Sequence, residues 1–168
     1  IVMGWQWGGG WLATIGFSDF AGSTLVHSTG GAAALAGIII LGPRFGRFDS
    51  KGNPKAIQPF AASSIPLVTI GVFVLWLGWF GFNGGSQLAL GSFADAVAIS
   101  TIFINTNLAA CGGVLAAAVV TRLLFGKTDV IQMLNGAIGG LVAITAEPLA
   151  PSPLAAILIG AMGGVIVV

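Results

Sequence analysis

The sequence predicts an α-helical membrane protein with several spans. Of its 168 residues 56% are hydrophobic, only six are Lys or Arg and five Asp or Glu, and the mean hydropathy is +1.01. So few charges cannot solvate the surface of a globular protein, which excludes a soluble enzyme. The apolar runs are long and rich in Ala, Leu and Gly, whereas a β-barrel would show short segments of alternating polarity.

Charge-free segments long enough to cross a membrane divide the chain. A hydrocarbon core of about 30 Å needs about 20 helical residues. We predict four full spans at 20–41, 61–82, 96–121 and 130–146, and a truncated one at 154–168. Pro66 lies inside the second span and is expected to bend it. Because the chain starts with Ile and stops within an apolar run, we expect it to be a fragment of a longer protein.

The positions of the positive charges predict the orientation. All six lie in the first and third connections: Arg44, Arg47, Lys51, Lys55, Arg122 and Lys127. Positive residues are retained on the cytoplasmic side, so the first span is expected to run from outside to inside. Asp19, Ser86, Asp95, Glu147 and the Trp-rich start are then external. The net charge of +1 leaves no basic surface for nucleic acid.

Small and polar residues inside the spans predict how the helices pack. Glycine pairs occur at 30–31, 112–113, 139–140 and 163–164. In a bilayer such residues let helix backbones approach closely, so they are expected to mark contacts. The polar residues 105–107 are expected to make interhelical hydrogen bonds.

His27 is the single histidine of the sequence and lies inside the first span. As a continuous helix from Asp19, eight residues would place it about 12 Å along the axis, near mid-membrane. An ionisable group at that depth is costly and points to function. The alternative is a buried histidine bonded to a neighbouring helix.

Two features of the outer side have both a structural and a functional interpretation. Asp19 is suited to cap the first helix, and its charge could also attract a cation. The aromatic run at 76–82, followed by Ser86, is typical of an interfacial belt. Aromatic faces and a hydroxyl could equally hold a small cation.

An intramembrane enzyme is not expected. Such an enzyme needs a nucleophile with a base, or a cluster of metal ligands, and the sequence offers one His with distant Ser residues. We therefore predict no catalytic residue, no metal site and no cofactor.

Several motifs resemble the Amt/MEP ammonium transporters. Residues 19–27 (Asp-Phe-Ala-Gly-Ser-Thr-Leu-Val-His) and 41–48 (Leu-Gly-Pro-Arg-Phe-Gly-Arg-Phe) are similar to the fifth helix of that family and its following loop. Residues 78–86 (Gly-Trp-Phe-Gly-Phe-Asn-Gly-Gly-Ser) resemble the end of the next helix, and residues 135–145 the eighth helix. The related Rh branch is less similar. The resemblance covers essentially the whole chain and implies helices five to nine of an eleven-helix subunit.

The resemblance also implies a role for each site residue. It matches Trp7 and Ser86 to an external cation site, with Ala21 beside it and Asp19 supporting it. It matches Phe82 to one ring of a gate, Trp79 to a ring lining the pore, and His27 to the first of two pore histidines. The second histidine and the other gate ring belong to helices that this sequence lacks.

The expected function is transport of ammonium or ammonia by a multi-pass protein of the plasma membrane. In the implied mechanism NH4+ is selected at the outer aromatic site, loses its proton and passes as ammonia through an apolar, histidine-lined pore. The resemblance further implies a homotrimer and a PII-type signalling protein docked on the cytoplasmic face. An ammonium sensor, signalling through that face, is the alternative.

Overall fold

A computed structural model describes residues 1–44 and 62–168 and consists of helices and connections. The helices are α1 (Val2–Gln6), α2 (Trp11–Thr14), α3 (Thr29–Leu41), α4 (Ile65–Gly85), α5 (Phe93–Phe125), α6 (Val130–Ile144) and α7 (Pro153–Ile166). A π-helix, Ser23–Ser28, leads directly into α3. No strand occurs in the described residues, which confirms the predicted all-α class. Most of the predicted cytoplasmic loop, including Arg47, Lys51 and Lys55, lies outside them.

Within residues 1–44 and 62–168, three helices are long and apolar enough to cross a membrane. They are Ser23–Leu41 with 19 residues, Ile65–Gly85 with 21 and Phe93–Phe125 with 33. Helix α6 has 15 residues and α7 has 14. At 1.5 Å per residue α6 is about 22 Å long, shorter than a hydrocarbon core of about 30 Å. The spans at 130–146 and 154–168 therefore stay predictions.

Side-chain caps set where the later helices begin. Ser64, Ser92, Asp129 and Ser152 each accept a hydrogen bond from a backbone amide in the first turn of α4, α5, α6 and α7. Ser92 and Asp95 form a reciprocal capping box, which starts α5 at Phe93 rather than at the predicted 96.

Pro66 does not bend the second span. It lies in the first turn of α4, where an amide has no partner within the helix, and its ring suits the helical φ angle. The expectation of a bend was wrong because α4 begins at Ile65 and not at 61.

Glycines bring α5, α6 and α7 into backbone contact. A Cβ atom added at Gly112 or Gly164 of these helices would collide with backbone atoms of the facing helix, as would one at Gly113, Gly136, Gly139, Gly140, Gly160 or Gly163. This confirms the predicted contact role for three of the four glycine pairs. Gly30 and Gly31 face nothing within 4 Å in the described residues.

Buried polar groups join the helices at one end of the bundle. The Asn83 side-chain amide donates to the Thr106 hydroxyl at 3.0 Å, the kind of bond between helices that was predicted. The Asn105 amide instead donates to the carbonyls of Pro148 and Pro151, at 3.0 and 2.8 Å, and so holds the connection before α7.

Helix α3 leaves its apolar side chains uncovered by the described chain. Leu35, Ile38, Ile39, Ile40 and Leu41 are 59 to 85% exposed. A helix that is apolar all round is suited to contact with lipid or with other membrane helices.

The glycine contacts predict a stability difference between two Gly→Ala substitutions. A Cβ at Gly113 would meet the backbone of Gly136 and Gly140, so Gly113→Ala must push α5 and α6 apart. We expect a loss of about 1–3 kcal/mol in the free energy of unfolding, measured in detergent. Gly71→Ala in α4 is the control, because nothing lies within 4 Å of it and Ala favours a helix by about 1 kcal/mol. Equal stability of the two variants would contradict the packing role.

Candidate functional site

The helix that carries His27 begins later than predicted. Phe20 lies before the helix, and the first helical residue is Ser23. Gly22 has a φ angle of +112°, a left-handed conformation that glycine adopts most easily, and it turns the chain into the helix. His27 is therefore the fifth residue of the helix. The expectation of a continuous helix from Asp19, on which the figure of about 12 Å was based, was wrong.

The buried carboxylate of Asp19 sets this start. Its Oδ1 accepts hydrogen bonds from the amides of Gly22 and Ser23, both at 3.0 Å. Its Oδ2 accepts from Thr24 at 2.9 Å and Leu25 at 2.8 Å. Asp19 is 2% exposed. The predicted capping role is confirmed, because the carboxylate accepts hydrogen bonds from four backbone amides at the start of the helix.

The extended entry to the helix is attached to the end of α6. The amide of Phe20 donates to the carbonyl of Ala146 at 2.7 Å, and that of Ala21 donates to the carbonyl of Thr145 at 3.1 Å. Ala21 is buried. The orientation predicted from charge puts both of these ends on the external side, and the structure brings them together.

Trp7 is held by the same entry segment. Its indole Nε1 donates to the backbone carbonyl of Asp19 at 2.8 Å, while the residue is 45% exposed. A Cβ atom added at Gly22 would lie 3.2 Å from the Trp7 ring, so the ring also borders the turn. Asp19 thus fixes the helix through its carboxylate and Trp7 through its carbonyl.

Three of the predicted site residues form one aromatic cluster, which we define as His27, Trp79 and Phe82. The His27 ring stacks on Trp79 with centroids 5.1 Å apart and on Phe82 at 5.4 Å. The centroids of Trp79 and Phe82 are 5.6 Å apart. The His27 Nε2 atom is buried and has no hydrogen-bond partner among the described residues. The alternative of a histidine bonded through Nε2 to a neighbouring helix is not supported there.

Trp79, which belongs to α4, is hydrogen-bonded to the end of α6. It is 8% exposed, packs against Ala110 and Leu141, and donates from Nε1 to the Thr145 hydroxyl at 2.8 Å. The predictions did not include Thr145. It stands 66 residues from Trp79, and the sequence shows only a hydroxyl at the end of an apolar run.

Ser86 and Phe82 stand at the end of α4. The Ser86 hydroxyl donates to the Phe82 carbonyl at 2.8 Å, which leaves its oxygen lone pairs able to accept. The Phe82 ring is 38% exposed. In the described part of the chain no side-chain hydrogen bond joins Ser86 to Trp7.

The donors that a metal ion would need do not come together here. Across residues 1–44 and 62–168 no group of three or more His, Cys, Asp or Glu side chains is arranged to hold an ion.

Comparison with known proteins gives a consistent result. The profile of the Ammonium Transporter Family matches residues 1–168. The ammonium transporter Amt2 of Archaeoglobus fulgidus is 45% identical over 172 residues, which cover 96% of this chain and 35% of that protein. The ammonium transporter of Bacillus subtilis is 39% identical and covers 98% of this chain and 37% of its own length.

Solved structures agree with the sequence relatives. A sensor Amt protein superposes with a TM-score of 0.84 at 38% identity, covering 94% of this chain and 37% of that one. Candida albicans Mep2 superposes with a TM-score of 0.84 at 34% identity, covering 98% and 35%. The chain spans little more than a third of the length of these relatives.

The cap predicts a large stability effect for an isosteric change at Asp19. In Asp19→Asn the amide nitrogen cannot accept, so two of the four backbone amides lose their acceptor in a buried place. We expect the free energy of unfolding to fall by about 2–3 kcal/mol, measured by denaturation in detergent. Asp95→Asn, in an exposed capping box, is the matched control and should change stability far less. Similar losses in both variants would mean that the buried cap is not special.

Proposed function

Because the chain belongs to the ammonium transporter family, we propose that the protein containing it moves ammonium or ammonia across the plasma membrane. The observation that carries this proposal is the aromatic cluster, in which a histidine is stacked on two rings with one ring nitrogen buried and unpartnered. An imidazole held this way can accept a hydrogen bond or a proton from a permeant molecule.

The outer side provides groups suited to a small cation. The Trp7 ring is partly exposed and can bind a cation on its face. Ser86 keeps oxygen lone pairs that can accept a hydrogen bond from an N–H group. The buried residue Asp19, whose backbone carbonyl accepts the Trp7 indole N–H, would add a negative charge. Trp7, Ala21, Asp19 and Ser86 are the residues we assign to capture of NH4+, with Ala21 beside the site and Asp19 supporting it.

The passage of ammonia follows from the cost of moving charge into an apolar place. A permanent cation loses far more hydration than neutral ammonia in a narrow apolar pore, so removal of the proton lowers the barrier. Phe82 and Trp79 would line this route, and His27 would meet the permeant next to them. Metal ions of similar size cannot be deprotonated in this way, so they would be excluded.

The complete subunit contributes the rest of the pathway in this proposal. The chain would supply roughly helices five to nine of an eleven-helix subunit, with a second histidine on a later helix. Such subunits would assemble as a homotrimer. A PII-type signalling protein would dock on the cytoplasmic face, to which the loop around residues 42–60 would contribute.

A sensor is the second candidate, because one of the similar structures is a sensor Amt protein. A sensor could keep the ammonium site and signal through its cytoplasmic side. Uptake of labelled methylammonium by the complete protein, in cells that lack other ammonium transporters, separates the two. Saturable uptake supports transport, whereas binding without uptake supports sensing.

His27→Leu in the complete protein should abolish or greatly change transport while the assembly stays intact. Leu has similar bulk and can pack against the Trp79 and Phe82 rings, but it offers no acceptor to the permeant. The measurements are the amount of assembled protein and the selectivity for ammonium over potassium. Normal assembly with normal ammonium-specific transport would remove His27 from the pathway. Loss of assembly would instead indicate a structural role.

Ser86→Ala should weaken ammonium capture with little effect on folding. The hydroxyl makes one exposed bond to its own helix, and a neutral hydrogen bond is worth about 0.5–1.5 kcal/mol. We expect the half-saturating ammonium concentration to rise by up to about tenfold, with the maximal rate unchanged. An unchanged half-saturating concentration would place Ser86 outside the site.

A further inference from the structure

Thr145 links two parts of the proposed pathway. Its hydroxyl oxygen accepts the Trp79 indole N–H at 2.8 Å, and its backbone carbonyl accepts the amide of Ala21 at 3.1 Å. Thr145 itself is fully buried. Thr145, at the end of α6, therefore binds both the Trp79 ring that stacks on His27 and the extended segment that precedes the His27 helix.

The hydrogen bonds at Thr145 run in a single direction. An indole N–H can only donate, so the Thr145 oxygen must be its acceptor. The Thr145 hydroxyl proton is then directed to the carbonyl of Leu141, 2.6 Å away, one helical turn earlier. Because both bonds are buried, the Trp79 ring has one favoured orientation, and that orientation makes it nearly parallel to His27, with 19° between the ring planes.

We propose that Thr145 is a positioning residue that holds the Trp79 ring against His27 and so sets the width and polarity of the passage at the aromatic cluster. This inference rests on the proposed transport function. Thr145 does not touch the permeant. It acts through Trp79. Removal of the Thr145 hydroxyl leaves the indole N–H buried without an acceptor, so the Trp79 ring rotates away from His27 to reach another hydrogen-bond acceptor.

Thr121 offers a matched comparison. It is a fully buried threonine whose hydroxyl also donates to the carbonyl one turn earlier, that of Ala117, at 2.7 Å. The same hydroxyl also lies 3.1 Å from the Ala118 carbonyl and accepts from the backbone amide of Asp129 at 3.4 Å. Within the described residues no hydrogen bond joins it to an aromatic ring. Thr121→Val therefore removes the same kind of buried hydroxyl without touching the aromatic cluster.

The first measurement reports on the ring directly. The complete protein is labelled with 5-fluorotryptophan, and the Trp79 fluorine resonance is identified as the one that disappears in Trp79→Phe. Thr145→Val should shift this resonance, whereas Thr145→Ser, which keeps a hydroxyl, and Thr121→Val should leave it in place. An unshifted resonance in Thr145→Val would overturn the proposal.

The second measurement is ammonium uptake by the same variants. Thr145→Val should lower the maximal rate by up to about tenfold, the effect expected for loss of one hydrogen bond. The half-saturating ammonium concentration should not change, because Trp7 and Ser86 are not altered. Thr145→Ser should recover the rate. Equal loss in the Ser and Val variants would overturn the proposal.

A double variant separates positioning from folding. In Trp79→Phe the indole donor is gone, so adding Thr145→Val should cause no further loss of rate or of assembled protein. If Thr145→Val alone assembles poorly, rescue of assembly in the double variant supports the link to Trp79, and continued poor assembly overturns it. A wild-type protein that took up no ammonium would contradict the transport function, while the fluorine measurement would still test Thr145.

Discussion

The geometry of the candidate site depends on one buried carboxylate. Asp19 binds four successive backbone amides and thereby fixes where the helix starts and how His27 is presented. Its own backbone carbonyl holds the Trp7 ring. A charge buried to this degree is tolerable because charge-assisted bonds and the positive end of the helix replace the lost hydration.

The second requirement for this site is a rigid support, formed by helices α5, α6 and α7. Helices α5, α6 and α7 meet through glycines whose backbones touch, which leaves little room for one helix to slide on another. Trp79 extends from α4 to this support and donates a hydrogen bond to the Thr145 hydroxyl there. The ring that packs against His27 is thus attached to the closely packed helices α5, α6 and α7, while α3 has its apolar side chains exposed.

The residues around the candidate site differ in exposure. Trp7 is 45% exposed and Phe82 is 38% exposed. Trp79 and Thr145 are buried, so their hydrogen bond is protected from competing water and can hold a ring in place.

The sequence by itself determined the helical membrane class, the charge-free segments and the family, because hydropathy and charge act locally and the motifs are contiguous. It also identified Asp19 as a cap and the glycine pairs of α5, α6 and α7 as contacts. It misplaced the start of the His27 helix and the effect of Pro66, since both depend on which residue binds the first free amides. Only the tertiary structure decided that His27, Trp79 and Phe82 meet, and that Thr145 anchors Trp79. These contacts join residues far apart in the chain, and a local pattern carries no information about which distant helix supplies the partner.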